Sequence, residues 1–130
     1  MTTATLHDSV AAHRFVDGLT PAHIDVLVGM ARFGEYPAGT WVALRGDAAD
    51  TFHLVLEGRF AIEVAAAGRD PLVVATVHPG EVLGWSWMLA PHVWHFDVLT
   101  LDHTRTIAID GAALRAACRS DHDLGYEVSH

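Results

Sequence analysis

Phe52-His53-Leu54-Val55-Leu56-Glu57-Gly58, with its continuation Arg59-Phe60-Ala61-Ile62-Glu63-Val64, is the stretch that decides the fold. Phe52, Leu54 and Leu56 alternate with His53, Val55 and Glu57, and after Gly58 the alternation resumes as Phe60, Ile62 and Val64. Residues two apart share one face of a strand, so the pattern predicts two strands folded back on each other at Gly58. The same period of two extends outward from this hairpin. Upstream lies a strand over residues 40–44, bounded by Tyr36-Pro37-Ala38-Gly39 and Arg45-Gly46-Asp47. Downstream, a turn at Gly68-Arg69-Asp70 leads into a strand over 72–77, and Pro79-Gly80 closes it. Residues 81–93 are too many and too aromatic for a plain turn, and two further strands are expected at about 95–101 and 105–109.

At both ends the period changes to that of a helix. Residues 9–16 form a short helical candidate that breaks at Asp17-Gly18. Thr20 as N-cap and Pro21 at the first helical position then start another, with Ile24, Leu27, Val28 and Ala31 on one face. Asp110 is a good N-cap for a helix over 111–119, whose Leu114 and Cys118 lie four apart, and a second helix begins near Asp121. The expected plan is therefore one domain: helices at about 9–31, a β-roll at about 33–109 and helices at about 111–130. Its class is mainly β, an antiparallel β-roll or jelly-roll-like barrel with flanking helices. No helix of 10–15 residues separates successive strands, which disfavours a parallel βαβ fold.

Composition narrows the function classes. The 130 residues are 51% hydrophobic and 18% charged, which suits a single compact domain. No apolar run approaches the ~18 residues of a membrane span, and the polar N-terminus has no leader pattern, so a cytoplasmic location without a membrane partner is expected. Cys118, the one cysteine, excludes an internal disulfide and any paired-cysteine metal site. Sixteen acidic residues oppose eight basic ones, all arginine, for a net charge of −8. Such a chain repels a phosphate backbone, and no nucleic-acid partner is expected.

Read in order, Leu19-Thr20-Pro21, Tyr36-Pro37-Ala38-Gly39, Gly46-Asp47, the Phe52–Gly58 stretch and Pro79-Gly80-Glu81-Val82-Leu83-Gly84 resemble the cyclic nucleotide-binding domain family, which includes catabolite-activator-type regulators. The resemblance covers residues 12–128 and implies a ligand-sensing, non-catalytic regulatory domain. It also implies a phosphate-binding cassette. In that cassette a Gly-Glu-aliphatic-Gly turn leads into a one-turn helix whose N–H groups face the cyclic phosphate. The glutamate accepts from the ribose 2′-hydroxyl, and an arginine followed by serine or threonine completes the grip. Gly80, Glu81, Val82, Leu83 and Gly84 match the first half. The arginine position falls on Trp94 and the hydroxyl position on His95, or on Val93 and Trp94 with a loop one residue different.

Residues 70–103 contain no arginine or lysine. Losing a buried charge-assisted pair costs about 2–5 kcal/mol, or roughly 30- to several thousand-fold in affinity. Cyclic AMP and cyclic GMP are therefore expected to bind weakly unless Arg69 or Arg105 reaches in from a neighbouring strand. Glu81 has two readings, a ligand acceptor or a cap on the cassette helix. Trp85, Trp87, Met88, Trp94 and Phe96 are expected to be buried, either plugging the family's pocket or lining a pocket for an apolar ligand. No His-x-His pair exists for a cupin-type metal site, so no metal is expected. No cofactor is expected either, the alternative being a haem near His78, Met88, His92 and His95. The resemblance further implies a long dimerisation helix and a DNA-binding part of roughly 80 more residues. Leu124, Tyr126 and Val128 only begin that helix, which leaves a truncated chain or a stand-alone roll with a shortened helix. Two functions stay open: a sensor for some other small molecule, or a ligand-free domain docking onto a protein partner, with a homodimer through the C-terminal helix as one arrangement.

Overall fold

The computed structural model describes residues 5–84 and 93–129. Helix α1 (Leu6–Ala12) starts where the Thr5 hydroxyl accepts from the Asp8 N–H, and a 3-10 turn (Arg14–Val16) follows it. Helix α2 (Pro21–Val28) has the expected cap, the Thr20 hydroxyl accepting from the His23 N–H. It stops at Val28, not Ala31, because Gly29 and Met30 donate back to Asp25 and Leu27 and turn the chain; Ala31 opens a strand. The first helix likewise begins three residues earlier than its pattern indicates and breaks at His13.

Among the described residues eight strands follow: β1 (Ala31–Tyr36), β2 (Trp41–Ala43), β3 (Thr51–Glu57), β4 (Phe60–Val64), β5 (Leu72–Val77), β6 (Val82–Leu83), β7 (Asp97–Thr100) and β8 (Thr104–Asp110). All pairings are antiparallel, in two four-stranded sheets ordered β1-β8-β3-β6 and β2-β7-β4-β5. The fold is the expected β-roll, with one correction: the sheets do not close into a barrel. Gly58, at the β3–β4 turn, has φ +82°, and a Cβ there would collide with Thr104 and the His103 carbonyl. Only glycine satisfies both conditions. Helix α3 (Gly111–Ser120) is capped by the Asp110 carboxylate, which accepts from the Ala113 N–H, and α4 (His122–Ser129) packs back. No helix among the described residues is long and apolar enough to cross a membrane.

The core is layered. Phe52 and Leu54 of β3 and Ile107 and Ile109 of β8 meet Val10, Val16, Leu27, Leu114, Leu124 and Val128 of the helical elements. On the other face of the same sheet, Val55 joins Ala43, Phe60, Val77, Leu83 and Val98 between the two sheets. Strands β3 and β8 are thus buried on both faces, which the alternation does not reveal: His53, on the alternate set, is 4% exposed.

Candidate ligand site

Four residues build the turn that enters the cassette. The His78 N–H donates to Glu81 Oε1 (2.7 Å) and the Glu81 N–H to the His78 carbonyl (3.0 Å). Gly80, at φ +86°, donates to the Val55 carbonyl and Val55 to that of Glu81, so β3 holds the turn in place. Glu81 is exposed, and its carboxylate caps its own turn. Val82 and Leu83 then pair with Leu54 and His53. Leu83 is buried between the sheets, and Gly84 comes up against an indole: a Cβ on Gly84 would lie 2.8 Å from Cη2 of Trp94.

Trp94 is pinned at its backbone. Its N–H donates to the Asp47 carbonyl and its carbonyl accepts from the Gly46 N–H, while Val93 bridges Ala48. The Gly46-Asp47 turn therefore sets where the indole lies, half-buried against the inter-sheet core. Leu83, Gly84, Trp94 and His95 come together, with Ile62, Phe96 and Val98, around a cavity of about 180 Å³. Gly80 opens instead on a different cavity of about 490 Å³, shared with His13, Arg14, Val55 and Leu56. Glu81 and Val82 line neither.

Several expected residues are placed otherwise. Phe96 is 42% exposed, so it is not part of a buried aromatic cluster; it sits two residues from the inward Val98, at the open end of β7. Trp85, Trp87, Met88 and His92, together with the expected one-turn helix, lie outside the described residues. Arg105 is committed elsewhere, to Glu57 (3.1 Å) and the face of Phe33, and Arg69 sits in the β4–β5 turn. The arginines that do approach are Arg14, whose Nε donates to the Gly80 carbonyl (3.3 Å), and Arg45, near His95. Sequence spacing did not single out either one. Arg14 is 66 residues from its acceptor, and only the packing of the N-terminal turn onto β3 brings them together.

The histidines are tuned by their surroundings. Burial pushes His53 down to about 4, so it is neutral in the core, its Nδ1 3.1 Å from the Thr106 hydroxyl. His13 Nδ1 accepts from the Phe15 N–H, which leaves Nε2 protonated; that atom is buried with no close hydrogen bond among the described residues, and burial holds His13 below its ordinary value against an opposing interaction with the Val55 backbone. Burial pushes the Cys118 thiol up, away from a reactive thiolate. Among the described residues no three histidine, cysteine or acidic side chains cluster as metal ligands.

Residues 33–121 match the family model for the cyclic nucleotide-binding domain. The chain belongs to the cyclic nucleotide-binding domain family. Solved structures agree on the fold. A candidate cyclic nucleotide-binding protein from Geobacter metallireducens superposes with a TM-score of 0.85 at 21% identity, covering 98% of this chain and 91% of that one. The catabolite activator protein of Thermus thermophilus gives 0.72 at 20% identity, over 88% of this chain and 54% of its own. A cAMP-binding acyltransferase from Mycobacterium smegmatis gives 0.71 at 24% identity, over 85% and 34%. The domain thus spans about half the length of one of these proteins and a third of another. No match to a curated protein sequence was found.

Proposed function

We propose that this cyclic nucleotide-binding domain is a non-catalytic, cofactor-free regulatory module, cytoplasmic in location, whose cassette does not grip a cyclic phosphate. The observation that carries the reading is the contact of Trp94 with Gly84. The family resemblance puts the phosphate arginine at Trp94 or, with a loop one residue different, at Val93, and in either case the Trp94 indole supplies bulk where the grip would need charge or a hydroxyl. The cavity left beside it, about 180 Å³, is below the ~300 Å³ at which small-molecule sites begin. One oxygen of the glutamate that would hold the ribose, Oε1, is already engaged by its own turn. The inert Cys118 supports a role without catalysis.

Isothermal titration tests this directly. Native protein is expected to bind cyclic AMP more weakly than about 100 μM, and Trp94→Arg, which removes the indole and adds the missing cation, to bind it at least about tenfold more tightly. A micromolar constant for the native protein overturns the reading.

A second reading, docking onto a protein, draws on β5. Leu72, Val73 and Val74 are 53%, 58% and 53% exposed on a strand at the edge of its sheet, a surface suited to strand addition. The C-terminal helix offers a rival surface for a second copy, with Tyr126 66% exposed. Sedimentation of Val73→Glu and Tyr126→Glu against native protein separates them: loss of a dimer in one variant identifies the face.

A further inference from the structure

Beside the cassette, at the outer end of β4 and β7, lies a third cavity of about 590 Å³. Its walls are Arg45, Glu63, Val64, Ala65, His95, Phe96 and Asp97, of which Arg45 and Glu63 decide its chemistry. Glu63 is 8% exposed, yet its carboxylate has no hydrogen bond or ion pair among the described residues. Its oxygens are not enclosed by the protein but reach the cavity, where a donor that enters can meet them. Asp97, the cross-strand neighbour of Glu63, is already engaged, accepting from the Arg45 backbone N–H at 2.8 Å. That bond holds the Arg45 backbone at the rim. The Arg45 guanidinium forms no ion pair with either acid, so more than 4 Å separates the two opposite charges.

An anion and a cation that have no ion pair among the described residues, held apart in one cavity, complement a molecule that carries both charges in the reverse order. We propose that this cavity binds a free α-amino acid with an apolar side chain. Its ammonium donates to the Glu63 carboxylate, and its carboxylate accepts from the Arg45 guanidinium, whose planar fork suits a carboxylate. The side chain lies against Phe96, Val64 and Ala65, where Phe96 presents an exposed ring. The volume falls within the range of small-molecule sites, unlike that of the cassette cavity. The site shares His95 and Phe96 with the cassette cavity, but the proposal does not rest on the cassette reading, because it needs only the charges of Arg45 and Glu63.

The test is calorimetric titration of the full chain with L-phenylalanine and L-leucine, alongside 3-phenylpropionate, which lacks the ammonium, and phenethylamine, which lacks the carboxylate. At least one amino acid is expected to bind with a submillimolar constant, and each one-charge analogue about tenfold or more weaker than phenylalanine. Glu63→Gln and Arg45→Gln are each expected to weaken the amino acid about tenfold or more, with circular dichroism and cyclic AMP titration unchanged from native. Glu63→Gln keeps the shape of the side chain, so folding is preserved while the charge is removed. The proposal is overturned if neither amino acid binds at about 10 mM, if 3-phenylpropionate binds as well as phenylalanine, or if both variants bind as native does.

Discussion

The two sheets of this domain have four strands each but very different backing. The β1-β8-β3-β6 sheet has helices on one face and the second sheet on the other, so that Phe52, Leu54, Val55, Ile107, Ala108 and Ile109 are all fully buried. Among the described residues, the β2-β7-β4-β5 sheet is covered on its inner face alone, and its edge strand exposes three consecutive aliphatic residues. Both cavities that touch the cassette's far end or the Glu63 site open along this second sheet. Stability resides in the sandwiched sheet, and recognition has room in the other, where loss of packing costs least.

The sharpest way to break that comparison is truncation. Leu54→Ala is expected to cost about 3–5 kcal/mol, a large share of a small domain's stability, and Val73→Ser less than about 0.5 kcal/mol. Equal shifts in urea midpoint would show that the sheets share the load.

Next in size is the neutral histidine in the sandwiched sheet. His53 is depressed to about 4 in the folded chain and ordinary when unfolded, so its contribution is intact above about pH 6.5 and is lost as the pH falls toward 4. The loss amounts to about 3 kcal/mol in urea titrations across that window, and His53→Asn flattens the slope.

Trp94, half-buried against the smaller cluster, is worth less than a fully enclosed ring: Trp94→Ala is expected to cost about 2 kcal/mol in thermal or urea unfolding. An unchanged melting curve would move the indole from packing to a purely surface role.

The smallest effect is at the seam between the terminal helices. His23 on α2 lies 2.8 Å from Glu127 and 3.4 Å from Asp121, and Glu127 also accepts from the Thr20 N–H. The bond to Glu127, above all, holds His23 above its ordinary 6.5. Glu127 is held below its own ordinary value chiefly by the Thr20 N–H, and Asp121 chiefly by the Leu124 N–H. The contribution of His23 is complete below pH 6.5 and fades as the pH rises past its folded value. That of the two acids is complete above about pH 4.5 and fades in stronger acid. Helix docking should therefore be tightest between those limits, with the hydrogen-exchange protection factor at α4, after division by the intrinsic exchange rate at each pH, falling above the window in native protein and showing no such fall in His23→Gln.

Local chemistry was legible in the sequence wherever neighbours along the chain decide the outcome. Thr20 and Asp110 cap their helices because a hydroxyl or carboxylate reaches an N–H three residues on, and the turn at Gly58 needs the one residue without a Cβ. The bond by which Glu81 closes its own turn onto the His78 N–H was not read from the sequence, which had it as a ligand acceptor or a cap on the following helix. What stayed hidden depends on long-range placement. Alternation puts His53 and Phe52 on opposite faces but cannot say that both faces are covered. Glu63 reads as an ordinary outward strand residue until the Arg45 loop and β7 wall it in. Phe96 reads as a core aromatic, and only the end of its strand exposes it.

Strand β8 carries a consequence for the order of events during synthesis. It lies between β1 and β3, with Ala31 opposite Ile109 and Phe52 opposite that same isoleucine from the other side. Neither neighbour has its full complement of partners in that sheet until residues 104–110 have left the ribosome. Until then the apolar faces of β1 and β3 wait without their central partner, and closure of this sheet is a late, long-range step with the slow kinetics of high contact order. A ribosome paused before that point would expose the part of the molecule that is most buried once folding is complete.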